Sequence, residues 1–237
     1  MDTQWWNDFF DRTYTDTWAS AGMFDRTAEE VTGVVVLLGA DHPLRILDAP
    51  CGFGRHSAVL HAMGHQVTGI DLSSDQLALA RERNPGPTYV QADLRTPPPG
   101  PYDAVLNLFS SIGYFDDPAQ DRAAIQAWHA VLRPGGTLLI ETNHRDRLAL
   151  IHQPGQVLPI GTDGAVEFGT MDWVTGIMHR TVRYADGNER EFAVRCYTAT
   201  ELTGMVRQTG FSQVEVFGDW QGLPISPETR LILRARR

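Results

Sequence analysis

The sequence has little cysteine, no excess of positive charge and no long apolar run. Cys51 and Cys196 are its two cysteines, too few for a disulfide framework, so we expect a reducing, cytoplasmic setting. The formal net charge of −9 argues against a nucleic-acid partner, because such partners usually require a basic face. No apolar stretch is long enough to span a bilayer, and residues 1–6 lack the pattern of a signal peptide. We therefore expect neither a nucleic-acid nor a membrane partner.

The glycine motif of the chain also lacks the third glycine of a dinucleotide-binding motif. Gly52 and Gly54 follow an apolar run that ends at Asp48, but Ser57 stands where a dinucleotide motif has its third glycine. A strand, a glycine turn and a helix start are nonetheless the local build of a nucleotide-type site. Asp48 would repel a pyrophosphate and favours a ligand with a cationic centre, such as the sulfonium of S-adenosylmethionine. Taken alone, this loop could also be a tight strand–helix turn that binds nothing.

Two further apolar runs end in a carboxylate. Asp71 lies 23 residues after Asp48, close to the spacing of about 20 residues at which an acidic side chain binds ribose hydroxyls. Asp93 ends a third run, and residues 102–109 and 132–140 predict two more strands. Because the carboxyl ends of parallel strands share one edge of an open sheet, the sequence predicts a ligand site at that edge.

Five segments in this order resemble the class I, Rossmann-like, S-adenosylmethionine-dependent methyltransferases. They read LDAPCGFGRH, VTGIDLS, QADLR, YDAVLNLFSSIGY and LRPGGTLLIET, and they cover about residues 46–142. The stretch FSSIGY resembles the corresponding stretch of small-molecule methyltransferases that modify amino sugars and other natural products. The resemblance implies a doubly wound α/β fold with a seven-stranded, mostly parallel sheet, whose last strand is antiparallel and lies in the tail after residue 197.

The resemblance also implies a cofactor site. Gly52 and Gly54 would face the methionine part of S-adenosylmethionine, and Asp71, next to Leu72, would hold the ribose hydroxyls. Asp93 would meet the adenine amino group beside the Leu94 backbone. Asn107 and Leu108 would offer backbone to the methionyl ammonium. With Asp48, the predicted cofactor-binding residues are Asp48, Gly52, Gly54, Asp71, Leu72, Asp93, Leu94, Asn107 and Leu108.

Regions outside the five segments predict a lid and a cap on one core. Residues 1–40, rich in aromatics, are expected to form a helical lid, and residues 41–145 and 198–237 the cofactor-binding core. Residues 146–197 are an insertion whose alternation over 177–184 and 190–197 predicts a β-hairpin cap over the substrate site. Arg26 of the lid could pair with the methionine carboxylate or be an ordinary surface arginine.

Acceptor binding is assigned to the cap. Alternation puts Arg195 and Tyr197 on one face of the hairpin and Phe192, Val194 and Cys196 on the other. If the first face looks at the cavity, Arg195 could bind an acidic group of the acceptor. The alternative is a solvated arginine at a sheet edge.

Catalysis requires little from the protein, because the methyl group is already activated on the sulfonium. His144, after the fifth strand, is the predicted general base, with Tyr14 and Asn143 as positioning groups. The alternative is that no side chain acts as base, since an amine attacks in its neutral form. His56, His61 and His65 have no cysteine or carboxylate cluster around them in sequence, so no metal site is expected.

The sequence therefore predicts an S-adenosylmethionine-dependent methyltransferase acting on nitrogen, oxygen or carbon of a small molecule, in specialised metabolism. A lyase or cyclase that releases methylthioadenosine from the same cofactor is one alternative. A silent partner subunit is another, and a nicotinamide oxidoreductase is a distant third. A homodimer stays open.

Overall fold

The computed structural model of the chain describes residues 5–237. Its helices are α1 (Trp6–Phe9), α2 (Arg12–Ser20), α3 (Thr27–Leu38), α4 (Arg55–Ala62), α5 (Ser74–Arg83), α6 (Pro118–Val131), α7 (Arg145–Ile151) and α8 (Ala199–Gln208). Its strands are β1 (Arg45–Asp48), β2 (Gln66–Asp71), β3 (Thr88–Gln91), β4 (Tyr102–Asn107), β5 (Leu132–Thr142), β6 (Val157–Ile160), β7 (Ala165–Asp172), β8 (Ile177–Arg183), β9 (Glu189–Arg195), β10 (Ser212–Phe217) and β11 (Leu231–Arg236).

Seven strands form the main sheet, in the order β10-β11-β5-β4-β1-β2-β3. The strands β3, β2, β1, β4 and β5 are mutually parallel, and β11 pairs antiparallel with both β5 and β10. This arrangement confirms the predicted doubly wound fold with an antiparallel last strand. Because β1 pairs with β4 on one side and β2 on the other, the ends of β4, β1, β2 and β3 lie side by side.

Helices cover both faces of this sheet, which is why its central strands are continuously apolar. Val31 of α3 and Leu60 of α4 pack with Ile46 on one face. Trp128 of α6 packs with Leu47 on the other face. All four of these apolar side chains and Trp128 itself are fully buried, so the core holds the strand ends in fixed positions.

The cap is a separate antiparallel sheet in the order β6-β7-β8-β9. β8 and β9 pair as the predicted hairpin around Asp186 and Gly187. The structure adds β6 and the short helix α7, which the sequence did not indicate. β6 contains Pro159, which reads against a strand, and it lies at the sheet edge, where proline is tolerated.

Helices α1 and α2 form the lid, whereas α3, which the predicted lid of residues 1–40 included, packs against the main sheet. The first four residues of the predicted lid lie outside the described residues. Asp11 caps α2, because its carboxylate accepts a hydrogen bond from the backbone N–H of Tyr14. Trp5 and Phe9 pack with Val182 of the cap, so lid and cap share an apolar contact. No helix within residues 5–237 is long and apolar enough to cross a membrane.

Candidate active site

A cavity opens at the carboxyl ends of β1, β2, β3 and β4, beneath the lid. It is lined mainly by aromatic and small side chains, with a few charged groups. The lining residues are Trp6, Phe10, Tyr14, Phe24, Pro50, Cys51, Gly52, Phe53, Arg55, His56, Asp71, Leu72, Ser73, Gln76, Ala92, Asp93, Leu94, Leu108, Phe109, Ser111, Tyr114 and Phe115. Of the residues predicted from sequence, the structure brings Gly52, Asp71, Leu72, Asp93, Leu94, Leu108 and Tyr14 to this cavity.

The glycine loop between β1 and α4 forms the floor. Gly52 and Gly54 have φ angles of +53° and +79°, a left-handed conformation that favours glycine. A Cβ on Gly54 would lie 2.3 Å from the hydroxyl oxygen of Tyr89, so Gly54 allows close packing against β3 and is not one of the lining residues. Gly52 lines the cavity.

Asp71, at the end of β2, contacts the glycine loop and also lines the cavity. Its Oδ2 accepts the backbone N–H of Gly52 and its Oδ1 that of Ser73, each at 2.9 Å. Burial raises the pKa of Asp71 to about 6, although these hydrogen bonds favour the charged form. An ionised carboxylate has about four acceptor positions, so capacity remains for hydroxyl donors in the cavity.

Asp93, after β3, is the second carboxylate of the lining. Arg95 donates through Nε to Oδ1 at 2.8 Å and through Nη2 to Oδ2 at 2.5 Å. This hydrogen bonding lowers the pKa of Asp93, so the group is ionised at neutral pH. Leu94, one residue further on, also lines the cavity.

Asp48 and Asn107 lie behind the cavity and brace the loop. Asp48 is fully buried and accepts the Ser57 hydroxyl at 2.6 Å. Burial raises the pKa of Asp48 to about 7, with the Ser57 hydrogen bond opposing the shift. The Asn107 Nδ2 donates to the carbonyl oxygen of Ala49 at 2.7 Å. Neither residue is among those lining the cavity, so we propose a supporting role for both.

A charged cluster at the β4 side was missed by sequence reasoning. Arg55 and His56 line the cavity, and both donate to Glu30 Oε2 of α3, at 2.5 and 2.8 Å. Burial alone would raise the pKa of Glu30, but these hydrogen bonds and the Arg55 charge bring it to about 2. Burial lowers the pKa of His56 to about 4, so its ring is neutral at pH 7. Glu30 is 25 residues away from Arg55, and no local pattern indicates that pairing.

Tyr14 faces the cavity from the lid, among other aromatic rings. Its ring centroid lies 4.7 Å from that of Trp18 and 5.0 Å from that of Phe10. Burial raises the pKa of Tyr14 well above its ordinary value, so its phenol is neutral. The Gln76 Nε2 donates to Thr15 Oγ1 at 2.8 Å and ties the lid to α5.

His144 and Asn143 are not among the lining residues. His144 is buried, and its Nε2 donates to the Thr229 carbonyl oxygen at 3.1 Å. Asn143 Oδ1 accepts from Arg147 at 3.0 Å and from Arg230 at 3.1 Å. The structure therefore does not bring these two residues together with Tyr14 at the cavity. We propose that their hydrogen bonds stabilise the segment that follows β5.

Arg195 and Tyr197 border a different depression, between the cap and helices α6 and α8. Arg195 Nη1 donates to the Thr175 carbonyl oxygen at 2.5 Å, and the Tyr197 hydroxyl donates to Asp121 Oδ2 at 2.7 Å. The predicted alternation is present, but the apolar set, with Val194 and Cys196, packs inward. The geometry thus gives no support to an acceptor-binding role for Arg195 and Tyr197. Among residues 5–237, no group of three or more His, Cys, Asp or Glu side chains is arranged to hold a metal.

Residues 46–136 match a family model described as a methyltransferase domain. Over 97 residues the chain is 37% identical to a dTDP-3-amino-3,6-dideoxy-alpha-D-glucopyranose N,N-dimethyltransferase of Streptomyces fradiae, covering 40% of this chain and 38% of that protein. The chain thus matches about two fifths of the length of that relative. It is 27% identical over 220 residues to a glycine/sarcosine N-methyltransferase of Parasynechococcus marenigrum, covering 88% of this chain and 77% of that protein.

Solved structures share the fold over nearly the whole chain. CalS10, a S-adenosylmethionine-bound amino pentose methyltransferase of Micromonospora echinaspora, is 26% identical, with a TM-score of 0.69 and coverage of 95% of this chain and 97% of that one. The CcbJ methyltransferase of Streptomyces caelestis has a TM-score of 0.77 at 19% identity, covering 90% of this chain and 89% of its own.

Proposed function

We propose that this chain, which belongs to the class I S-adenosylmethionine-dependent methyltransferases, transfers a methyl group to a nitrogen atom of a small molecule. The observation that carries the proposal is one cavity in which Gly52, Asp71 and Asp93 follow three neighbouring strands. The carboxyl ends of such strands are where this class of sheet binds its ligands. The methyltransferase domain match over residues 46–136 and the S-adenosylmethionine-bound structure of CalS10 support S-adenosylmethionine as that ligand.

The lining residues fit S-adenosylmethionine. Asp71 has acceptor positions left for the two ribose hydroxyls, and Asp93 can accept from the adenine amino group. Gly52 leaves the floor open, because a Cβ there would find only Gln76 Oε1 within 4 Å, at 3.6 Å. Leu108, just after β4, also lines the cavity, and we assign its backbone to the amino-acid arm. When bound, this cofactor supplies a methyl group already activated on a sulfonium.

The protein then has to orient the acceptor and exclude water. Trp6, Phe10, Tyr14 and Tyr114 close the cavity from the lid side and from the loop after β4. Aromatic faces attract a cationic centre, which both the donor sulfonium and a methylated ammonium carry. Asp71 and Asp93 are assigned to the cofactor, and the remaining lining groups are poor bases. The pKa of His56 is lowered, and the phenols of Tyr14 and Tyr114 are neutral because burial raises their pKa values. An amine that attacks in its neutral form needs no such base, which favours nitrogen over oxygen.

The test is turnover with a panel of acceptors. The protein is incubated with S-adenosylmethionine and amino-sugar nucleotides, amino acids or simple amines, and products are identified by mass spectrometry. The proposal expects an N-methylated product and one S-adenosylhomocysteine for each methyl group transferred. Methylthioadenosine formed from the cofactor alone would show the lyase or cyclase reaction instead. Methylation confined to hydroxyl or carbon acceptors would contradict the choice of nitrogen.

We also propose a cytoplasmic setting for this reaction. Cys51 and Cys196 are both buried and free, as expected of thiols in a reducing compartment. A small-molecule acceptor does not require a macromolecular partner. Whether the chain forms a homodimer is a separate question, which light scattering of the purified chain answers.

A further inference from the structure

Arg55 is a buried cation whose hydrogen bonding is incomplete. It is the first residue of α4, and only 7% of it is exposed. Its Nη1 donates to Glu30 Oε2 at 2.5 Å and to Thr27 Oγ1 at 2.8 Å. Its Nη2 is buried and has no hydrogen-bond partner among the described residues. A buried, charged donor left unpaired is unfavourable, so this nitrogen is a position that an anionic ligand oxygen would complete.

Aromatic rings hold the guanidinium at the cavity. Arg55 Cζ lies 4.9 Å from the ring centroid of Phe109 and 5.3 Å from that of Phe24, and all three residues line the cavity. Phe109 and Ser110 have φ angles of +64° and +62°, which are uncommon for residues other than glycine. Such backbone conformations concentrate at ligand sites, where surrounding contacts maintain them.

The position of Arg55 along the sheet edge gives the cavity two different ends. Asp71 and Asp93 follow β2 and β3, whereas Phe109, which contacts Arg55, follows β4. β3 and β4 are three strand spacings apart in the sheet order, about 14 Å. One end therefore offers carboxylate acceptors and the other a guanidinium donor. S-adenosylmethionine has the matching polarity, with hydroxyl and amino donors on its adenosine and a carboxylate on its methionine arm.

Other basic side chains near this end are either paired or uncharged. Arg230 contacts Glu141 and donates to Ser110 Oγ at 2.7 Å. His56 is neutral at pH 7 and donates to Glu30. Arg26, which was considered for this role from sequence, lies just before α3 and is bound to Glu29 at 2.6 Å, and its side chain is 71% exposed. Arg55 is thus the lining residue with an unpaired cationic donor in the described part of the chain.

We propose that Arg55 binds the carboxylate of the methionine arm of S-adenosylmethionine, and that Glu30 positions the guanidinium for it. This assignment rests on the proposed function, because it takes the same ligand in the same cavity. It gives Arg55 a role in binding and none in the transfer step.

The experiment compares S-adenosylmethionine with its decarboxylated analogue by calorimetry, in wild type, Arg55→Met and Arg26→Met. Wild type should bind S-adenosylmethionine at least tenfold more tightly than the analogue, since charge-assisted pairs are the strong ones. Arg55→Met should lose this discrimination. Its affinity for S-adenosylmethionine should fall, while its affinity for the analogue should stay within about twofold of the wild-type value. Arg26→Met, the matched control, should discriminate as wild type does.

The ligand comparison in wild type does not depend on how a variant folds. Equal affinity of wild type for both compounds would overturn the assignment, and so would an equal loss for both in a folded Arg55→Met. Arg55→Lys, which keeps the charge, should retain part of the discrimination if Arg55→Met does not fold. Failure of wild type to bind either compound would instead contradict the proposed function.

Discussion

The carboxylate of Asp71 accepts the backbone N–H of Gly52 at 2.9 Å. The end of β2 is thereby fixed to the glycine loop that follows β1, although the two residues are 19 positions apart. A single buried side chain both shapes the loop and faces the cavity. Cofactor binding and loop conformation should therefore respond together to changes at Asp71.

Replacing Asp71 with alanine should weaken S-adenosylmethionine binding by tenfold or more. The substitution removes the acceptor for the ribose hydroxyls and leaves the Gly52 N–H without its partner. Calorimetric titration of the purified variant measures the change. Asp75→Ala, at an exposed position in the first turn of α5, is the control and should bind as wild type does. Wild-type affinity in Asp71→Ala would rule out the ribose assignment.

Asp48→Asn should gain stability relative to wild type as the pH rises. The folded-state pKa of Asp48 is about 7 and an unfolded aspartate titrates near 3.9, so the native state holds the extra proton between these values. By linkage, this group lowers wild-type stability as the pH rises from about 4 to 7, and the effect is complete above 7. Asparagine carries no such charge and can still accept the Ser57 hydroxyl.

Thermal unfolding of both proteins without ligand, at pH 5 and pH 8, measures this difference. The melting temperature of Asp48→Asn minus that of wild type should be larger at pH 8. Asp71 is present in both proteins, and because its charge adds to the effect of burial in raising the pKa of Asp48, the measured difference includes the coupling between the two carboxyls. A difference that is the same at both pH values would show that Asp48 does not titrate in this range.

The fold and the presence of Asp71 and Asp93 at the cavity could be predicted because their signals are local. The central strands β1, β2 and β4 are short and largely apolar, and Asp71 and Asp93 come at or just after the end of a strand. Arg55 was missed because its partners, Glu30 and Phe109, reach it from other elements of the fold. His144 was assigned from its place after β5, but that place does not reveal that its ring turns toward Thr229.

Tyr197→Phe should lower stability and leave cofactor affinity unchanged. The Tyr197 hydroxyl donates to the fully buried Asp121, whose pKa is raised by burial to about 6. Losing the donor should cost about 1–2 kcal/mol in the free energy of unfolding. Urea denaturation measures it, and a double-mutant cycle with Asp121→Asn should show non-additive losses. An unchanged free energy of unfolding together with a higher KM for the acceptor would restore the acceptor-binding role predicted from sequence.

Arg190→Met should loosen the lid. Arg190 of the cap donates to Asp11 Oδ2 at 2.7 Å and to the Phe9 carbonyl oxygen at 3.3 Å, so it joins β9 to the start of α2. We expect faster amide hydrogen exchange over residues 12–20 and faster dissociation of S-adenosylmethionine. Mass spectrometry of exchange and stopped-flow displacement measure the two effects.

Arg183→Met is the matched control for that variant. Arg183 lies on the same hairpin and pairs with Glu189 at 2.6 Å, with both side chains about half exposed. Loss of such an exposed pair should have little effect on either measurement. The lid contact would be unimportant if the two variants behaved alike.

The central claim is that the cavity above Gly52 is an S-adenosylmethionine site held by carboxylates at the strand ends. Calorimetry with the wild-type chain tests it most directly, by titrating S-adenosylmethionine and, separately, NADH. The account predicts one S-adenosylmethionine bound per chain, with affinity reduced in Asp71→Ala, and no binding of NADH. No heat of binding at millimolar S-adenosylmethionine, or tighter binding of NADH, would contradict it.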